Sequence, residues 1–434
     1  MAAPGNSITD SFVDAVAGFT TMLERLFIVQ PIEAARRLQC RLDPRLYSES
    51  FRIRRISEGK QARKGDRFVL FVLYTRSSVP AFIETVLRSI GRSRLNLVIS
   101  TNARITDALR EELLEKCHLL IERADLGRDF GGYKDGISII EKRYGTPERL
   151  ILLNDSLFFF EKGLDQLIAD LDGEEEVIGI TEDFHRYYHI QSFALSFGPT
   201  ILRHKRVRRY WRQYRPISTR LWAVHQGERR LTRCLMRAGF RPKILYHAAR
   251  LVPHLRTRRL LDLMEAVYFL PQATRGRLYR ELDELRDSQT VPALAALDTV
   301  SRSVRRLSKA GGDELGALRE SNMSQVLRIT YQIASVHRTR EEWAVETFGE
   351  RIGALIANHN QVHMAGFLFM KYLGLPVMKR DLFFREVYAL EEIDNILTML
   401  GEPMKDEVMS ELRQKGAAFL LRGIRRILYR HGAL

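Results

Sequence analysis

Cysteine is scarce. The 434 residues hold three, Cys40, Cys117 and Cys234, far apart and without C-x-x-C spacing. That excludes a disulfide framework and a cysteine-based zinc site, and it fits a reducing, cytoplasmic setting. Long apolar runs are missing too: no stretch of about 18 uncharged apolar residues occurs, so no spanning helix is expected. The most apolar N-terminal segment, SFVDAVAGFTTMLERLFIVQ, is interrupted by Asp14, Glu24 and Arg25 and lacks the basic opening of a signal peptide. Acid is in deficit, with 53 Asp and Glu against 69 Lys and Arg, a formal net charge of +16. Such an excess points to an anionic partner, whether nucleic acid, an acidic membrane surface or a phosphorylated substrate, and charge alone does not choose.

What is present is a strand–helix alternation. Residues 1 to about 46 carry apolar positions at helical spacing (Phe12, Phe19, Met22 or Leu23, Leu26). Then RFVLFVLYT (67–75) reads as a strand buried on both faces, followed by the helical VPAFIETVLRSIG. The unit recurs as LNLVIST with ITDALREELLEKC, HLLIER with GISIIEKRYG, and RLILLNDS with GLDQLIADL. Alternation at this spacing means an open, mostly parallel α/β sheet with right-handed crossovers and helices on both faces. Five segments are expected: 1–60 helical, 65–250 the α/β domain, 251–354 a charged helical insertion, 355–395 a closing segment of the α/β domain, and 396–434 a basic amphipathic helix.

Ligands of such sheets sit at the carboxyl ends of the strands. Three polar segments fall there: YTRSS, LGRDFGGYKDG (126–136) and NDS (154–156). The second has the G-x-x-x-x-G frame of a phosphate loop, but Tyr133 stands at the lysine position and no Ser or Thr follows Lys134, which argues against a P-loop; G-x-G-x-x-G is absent as well. What remains is a glycine-rich loop at a helix N-terminus, where amides and the helix dipole favour a phosphate, assisted by Arg128 and Lys134. Asp129 is placed to accept from a sugar hydroxyl, unless the loop is only a strand-to-helix turn with solvated charges. Asp155, between Asn154 and Ser156, can hold a hard divalent ion against diphosphate oxygens or can cap the following segment.

Two basic segments add charge. RHKRVRRYWRQYRPISTR (203–220) contains no acid and interleaves aromatics, as a nucleic-acid surface would, but no RNA- or DNA-binding signature accompanies it, so nucleic acid is disfavoured as a partner. The tail LRQKGAAFLLRGIRRILYRHG sets Phe419, Leu420, Ile424, Ile427 and Leu428 against arginines, a pattern suited to an anionic membrane surface or to packing on the protein's own core.

The motifs ADLGRDFGGYKDGI, ERLILLNDSLFFF, HIQSFALSF and GERRLTRCLMRAGF, in this order, and then NHNQVHMAGFLFMKYLGLPVMKRDLFFRE (358–386), resemble the rhamnan synthesis protein F family, and through it the GT-A glycosyltransferases. The resemblance implies a GT-A-like fold and transfer of a sugar, rhamnose by the family's name, from a nucleotide diphosphate sugar to a glycan or lipid-linked acceptor, with inversion. It gives the donor-binding role to Gly127, Arg128, Asp129, Lys134, Asn154 and Asp155, and to Asp155 the metal position, for Mg²⁺ or Mn²⁺, with the usual pair of aspartates reduced to Asn-Asp. Glu228 takes the place of the general base, with Glu182 or Asp183 as alternatives, and His189 and Gln191 face the acceptor or the sugar. The protein is then expected to be cytoplasmic and peripheral on the inner membrane face. A non-catalytic scaffold that binds glycan or lipid-linked intermediates is the rival expectation.

Overall fold

A computed structural model describes residues 19–20, 22–184, 187–256, 260–287, 340–416 and 420–431. Twelve strands are defined among them: β1 (Ile53–Glu58), β2 (Arg67–Leu73), β3 (Asn96–Thr101), β4 (Leu119–Arg123), β5 (Arg149–Asn154), β6 (Leu157–Phe159), β7 (Val177–Gly179), β8 (Glu182–Asp183), β9 (His189–Ile190), β10 (Ala194–Phe197), β11 (Lys243–Ile244) and β12 (Val377–Lys379). Eight of these form one sheet in the order β1-β4-β3-β2-β5-β10-β7-β11. β1 and β10 run antiparallel to their neighbours and the remaining six run one way, so the sheet is mostly parallel as the alternation predicts.

Side chains of β2 alternate between two cores. Val69, Phe71 and Leu73 join the larger one, with helices 81–92, 107–116 and 164–171 and helices from the C-terminal third. Phe68, Leu70 and Val72 join the other, under helices 128–144, 205–213 and 230–237. Burial on both faces explains why β2 reads as an unbroken apolar run. From β2 the chain winds outward through β3 to β4, then returns to add β5 on the other side of β2. That reversal creates a crevice beyond the carboxyl ends of β2 and β5.

Two segment expectations change. Residues 1–60 are not all helical, because Ile53–Glu58 forms β1 on the sheet edge, paired with β4; its exposed Arg54 and Arg55 protect that edge from further pairing. Residues 396–434 do not form one helix: Leu390–Met399, Lys405–Lys415 and Gly423–Arg430 are separate, and Phe419 falls outside the described residues. Of the expected insertion, 288–339 also lies outside them. The closing segment does return to the α/β unit, since β12 pairs antiparallel with β6.

HIQSFALSF is two strands rather than one. β9 pairs with β8, the chain turns through residues 191–193, and β10 enters the main sheet between β5 and β7. Among the described residues no helix is long and apolar enough to cross a membrane.

Candidate active site at the carboxyl edge of the sheet

The motif LGRDFGGYKDG is mostly helix. Gly127 (φ 83°) and Arg128 (φ 52°) are left-handed, and the helix runs from Arg128 to Tyr144. Its glycines therefore do not line a loop. A Cβ at Gly131 would lie 2.2 Å from the Leu126 carbonyl, at Gly132 2.7 Å from a Val72 methyl, and at Gly136 2.5 Å from a Leu70 methyl. Gly132 and Gly136 let the helix seat directly on β2, and Gly131 makes room for the turn that precedes it. The second aspartate of the motif is structural as well. Asp135, fully buried, accepts from Arg52 (2.6 Å) and Arg123 (2.9 Å), and Arg123 also donates to Asn102 and to the Leu126 carbonyl, which locks the turn before the helix.

The crevice is a cleft of about 1120 Å³, large enough for a nucleotide sugar. Arg128, Asp129, Asn154, Asp155, His189, Gln191 and Glu228 all line it, as does Asp183. Gly127 and Lys134 do not. Gly127 packs on Pro216 and its N–H donates to Ser218 Oγ (2.8 Å). Lys134 turns away to donate to the Arg212 carbonyl (2.8 Å) and to that of Tyr214, and burial brings its ammonium down to about 8. Glu182 is buried beside Gln361, whose amide donates to it at 3.3 Å.

On the sheet side, acids dominate. Asp129, in the first turn of its helix, accepts from the Asn154 amide (2.9 Å), and Asn154 Oδ1 accepts from the N–H (3.1 Å) and Oγ (2.6 Å) of Ser156. Asp155 Oδ2 accepts the Tyr74 N–H (2.9 Å), which ties the end of β5 to the end of β2. Burial, together with the negative charge of Asp155, lifts the Asp129 carboxyl to about 6. Burial likewise raises Asp155, against the attraction of Arg380.

Glu228 lies near the end of a π-helical stretch, Ala223–Arg229, that continues as helix Arg230–Arg237; it does not open the helix. Such wide turns recur where a helix must aim a side chain into a site. Gly227 makes room beside Phe130, whose ring a Cβ would meet at 2.6 Å. The carboxylate accepts from Ser192 Oγ (2.8 Å) and stands 3.5 Å from His189 Nε2; Asp183 is 3.7 Å from the same nitrogen. His189 Nδ1 lies 2.9 Å from the Tyr187 carbonyl, so its N–H donates there and Nε2 faces the carboxylates. Burial works to raise Glu228, but His189 and Ser192 outweigh it and hold the carboxyl below its usual range. Burial would lower His189, and Glu228 with Asp183 overcomes that and holds it high. The result is an ionised carboxylate paired with a readily protonated imidazole.

The opposite wall is basic and comes from residues that the motifs did not single out individually. β12 ends in Lys379, whose Nζ lies 3.1 Å from Ser156 Oγ and 4.8 Å from the Phe193 ring centroid. Arg380 donates to the Asp155 main-chain carbonyl (2.8 Å), pairs with Glu411 and stacks on Phe82. Asp381 accepts from Arg385 (3.1 Å) and sits 2.9 Å from His363 Nε2; burial opposes its ionisation, but His363 and Lys379 hold its carboxyl well below the ordinary value. Arg220, after the basic helix Lys205–Gln213, completes the wall. The aromatics of that helix and its end, Tyr210, Trp211 and Tyr214, are buried against Phe130 and cannot stack on bases. The N-terminal segment contributes Arg25, Val29 and Glu33 to the rim, and the Glu33 carboxylate caps the turn at Arg220 by accepting its N–H (3.1 Å). The K-R-D triplet 379–381, following a short apolar run, was the available signal for this wall, although only the pairing of β12 with β6 reveals which cleft it faces.

A divalent ion fits this donor set poorly. Among the described residues no group of three or more His, Cys, Asp or Glu is arranged to hold one. Oδ2 of Asp155, Oδ2 of Asp129 and Oδ1 of Asn154 each already accept a hydrogen bond, and Arg380 comes within 3.9 Å of Asp155 Oδ2.

A family model described as rhamnan synthesis protein F matches residues 97–261, which include the acidic side of the cleft and end before the basic triplet. The match supports a role in polysaccharide synthesis. The chain is also similar to an uncharacterized protein, y4gN, of Sinorhizobium fredii (strain NBRC 101917 / NGR234), at 29% identity over 196 residues, 44% of this chain and 51% of that protein. A shorter similarity, 34% over 92 residues, links it to the virulence protein VirA of Vibrio anguillarum, covering 21% of this chain and 29% of that protein. The chain thus spans about half the length of the first relative and less of the second.

Proposed function

We propose that the protein is an inverting glycosyltransferase of GT-A type that moves a sugar, rhamnose being the first candidate, from a nucleotide diphosphate sugar to a polysaccharide or lipid-linked acceptor. The observation that carries this reading is the pairing of Glu228, held ionised by His189 and Ser192, with a wall of cations across one cleft. The acceptor hydroxyl gives its proton to Glu228 as its oxygen bonds to the anomeric carbon from the face opposite the diphosphate. The bond from that carbon to the diphosphate oxygen breaks with its electron pair, and the nucleoside diphosphate leaves. A positioned carboxylate supplies roughly 10²- to 10⁴-fold in such a step. His189 and Ser192 orient the base, Gln191 faces the acceptor, and Asp129 with Asn154 receives hydroxyls of the donor sugar.

A peripheral position on the cytoplasmic face of a membrane belongs to the same proposal. Exposed Phe19, Met22, Leu26 and Phe27 near one terminus, and Leu420 and Ile424 near the other, are carried on segments that pack together through Val29, Ile32, Ile427 and Leu428. Exposed Arg422, Arg425 and Arg426 accompany them, and basic residues near anionic lipid are worth on the order of 1 kcal/mol each.

The test is transfer from a panel of labelled UDP-, dTDP- and GDP-sugars to lipid-linked glycan acceptors by the wild-type protein and Glu228→Gln. Transfer from one donor that disappears in the variant supports the reading. Binding of the acceptor glycan with no transfer from any donor replaces it with the scaffold.

A further inference from the structure

We infer that the cleft binds the diphosphate of its donor without a divalent cation, the positive charge being supplied by Lys379 and Arg220 with Arg385 beside them. The identity of the donor rests on the sugar-transfer reading above; the anion site itself does not.

Two observations meet here. The first is that one oxygen each of Asp155, Asp129 and Asn154 already accepts a hydrogen bond within the protein, and no group of three or more His, Cys, Asp or Glu gathers there among the described residues. Asp155 is held by the Tyr74 N–H, and the Arg380 guanidinium already places a positive charge 3.9 Å from its Oδ2. Mg²⁺ demands near-ideal octahedral geometry from oxygens and waters, and a site already holding a cation and internal hydrogen bonds has less to offer it.

The second is that the cleft carries cations without matching counter-ions. Lys379 Nζ has a hydroxyl and an aromatic face as neighbours, and no carboxylate lies within ion-pair distance among the described residues. The Arg220 guanidinium has no hydrogen bond or ion pair there either. Its nearest strong influence is another cation, because the charge of Arg385, with burial, pulls it down to about 9. Lys379 is lowered by burial although Asp381, Glu228 and Asp129 favour its charge. Two half-buried cations, with a third close enough to repel one of them, form an arrangement that a dianion would relieve.

The placement suits the chemistry. Charge builds on the diphosphate as the bond to the sugar breaks, and fixed cations aimed at that position stabilise it as a metal would, without reorganisation at the moment of reaction. Arginine adds a planar fork that matches phosphate oxygens in pairs. Lys379 closes β12 next to Ser156, so it sits beside the Asn-Asp-Ser turn where the metal position was expected.

The experiment is calorimetric titration of the full chain with inorganic pyrophosphate, and with UDP, dTDP and GDP, in EDTA and then in excess Mg²⁺ or Mn²⁺. Wild type, Arg220→Gln and Lys379→Gln are compared, with circular dichroism to confirm folding. Pyrophosphate is expected to bind in EDTA, to gain less than about threefold from metal, and to lose about tenfold or more in each variant, as for charge-assisted contacts. Arg220→Gln removes a side chain that has no hydrogen-bond or ion-pair partner among the described residues, so it remains informative even if Lys379→Gln is unstable. Pyrophosphate binding that appears only with a divalent ion, that is unchanged in Arg220→Gln, or that is absent at millimolar concentration overturns the inference. Metal-free pyrophosphate binding through these residues, with no sugar transferred from any donor, leaves the anion site standing and removes the transferase reading instead.

Discussion

The two walls of the cleft are built differently. The sheet wall takes its acids from strand ends and helix starts: Asp129 after β4, Asp155 after β5, Asp183 on β8 and Glu228 on the π-helical stretch. Backbone and neutral donors hold three of them, as Tyr74, Asn154 and Ser192 show, and His189 stands beside Glu228 and Asp183. The facing wall brings Lys379, Arg380 and Arg385 from β12 and the turn after it, more than two hundred positions away in the chain from Asp155, joins Arg220 to them, and leaves Lys379 and Arg220 without an ion pair among the described residues. A carboxylate kept ionised by His189 and Ser192 can accept a proton, while a cation without a counter-ion waits for an anion. The contrast shows how one cleft keeps proton transfer and charge stabilisation apart, with burial strengthening both.

The largest effect is expected on the acidic side. Glu228→Gln should lower the transfer rate by about 10²- to 10⁴-fold while changing nucleotide affinity little, read as kcat against Kd; equal losses in both would mean that the two walls do not divide the work. Behind that wall, Asp135→Asn should destabilise the fold by about 3–5 kcal/mol, since it leaves Arg123 and Arg52 buried with their anion gone; urea unfolding measures it. If the variant were as stable as wild type, Asp135 would not be what anchors the turn.

Asp129 gives a pH-dependent test. Its folded carboxyl, near 6, lies above the ordinary value of 3.8, so the folded state holds the proton more tightly than the unfolded chain. Its stabilising contribution is therefore present below the unfolded value and is lost as pH rises through about 6. Asp129→Asn should flatten the fall in melting temperature between about pH 4 and 6 that this group contributes, and weaken binding of the sugar nucleotide. The smallest effect belongs to Lys134→Ala: it should leave pyrophosphate affinity within about twofold, because the ammonium serves carbonyls outside the cleft, and cost about 1 kcal/mol of stability. A large loss of affinity would put Lys134 back among the donor-binding groups.

Much of the architecture was legible locally. Strand runs such as RFVLFVL are fully apolar because both faces are covered, and that periodicity needs no long-range knowledge. The ordered motifs led to Asp129, Asn154, Asp155, His189, Gln191 and Glu228, and all six line the cleft. The glycines misled, because composition marks glycine as a loop signal whereas Gly132 and Gly136 are small for the sake of helix–sheet contact with Val72 and Leu70, and Gly131 for the approach of the Leu126 carbonyl and Arg123. Lys134 misled for a related reason. One residue after Tyr133 on the helix it points toward Tyr214 rather than the cleft, and only the helical register decides that. β1 escaped notice since an edge strand exposed on one side, IRRISE, has no apolar run to announce it.

By itself the sequence determined the layers of the α/β unit, the positions of the strand ends and the acids placed on them, because hydrophobic periodicity and turn chemistry act over a few residues. The tertiary structure alone decided which cations face those acids. Lys379 and Arg385 come from one segment and Arg220 from another, and their meeting depends on the pairing of β12 with β6 and on the course of the chain after helix Lys205–Gln213, contacts between positions too distant in sequence for any local pattern to encode.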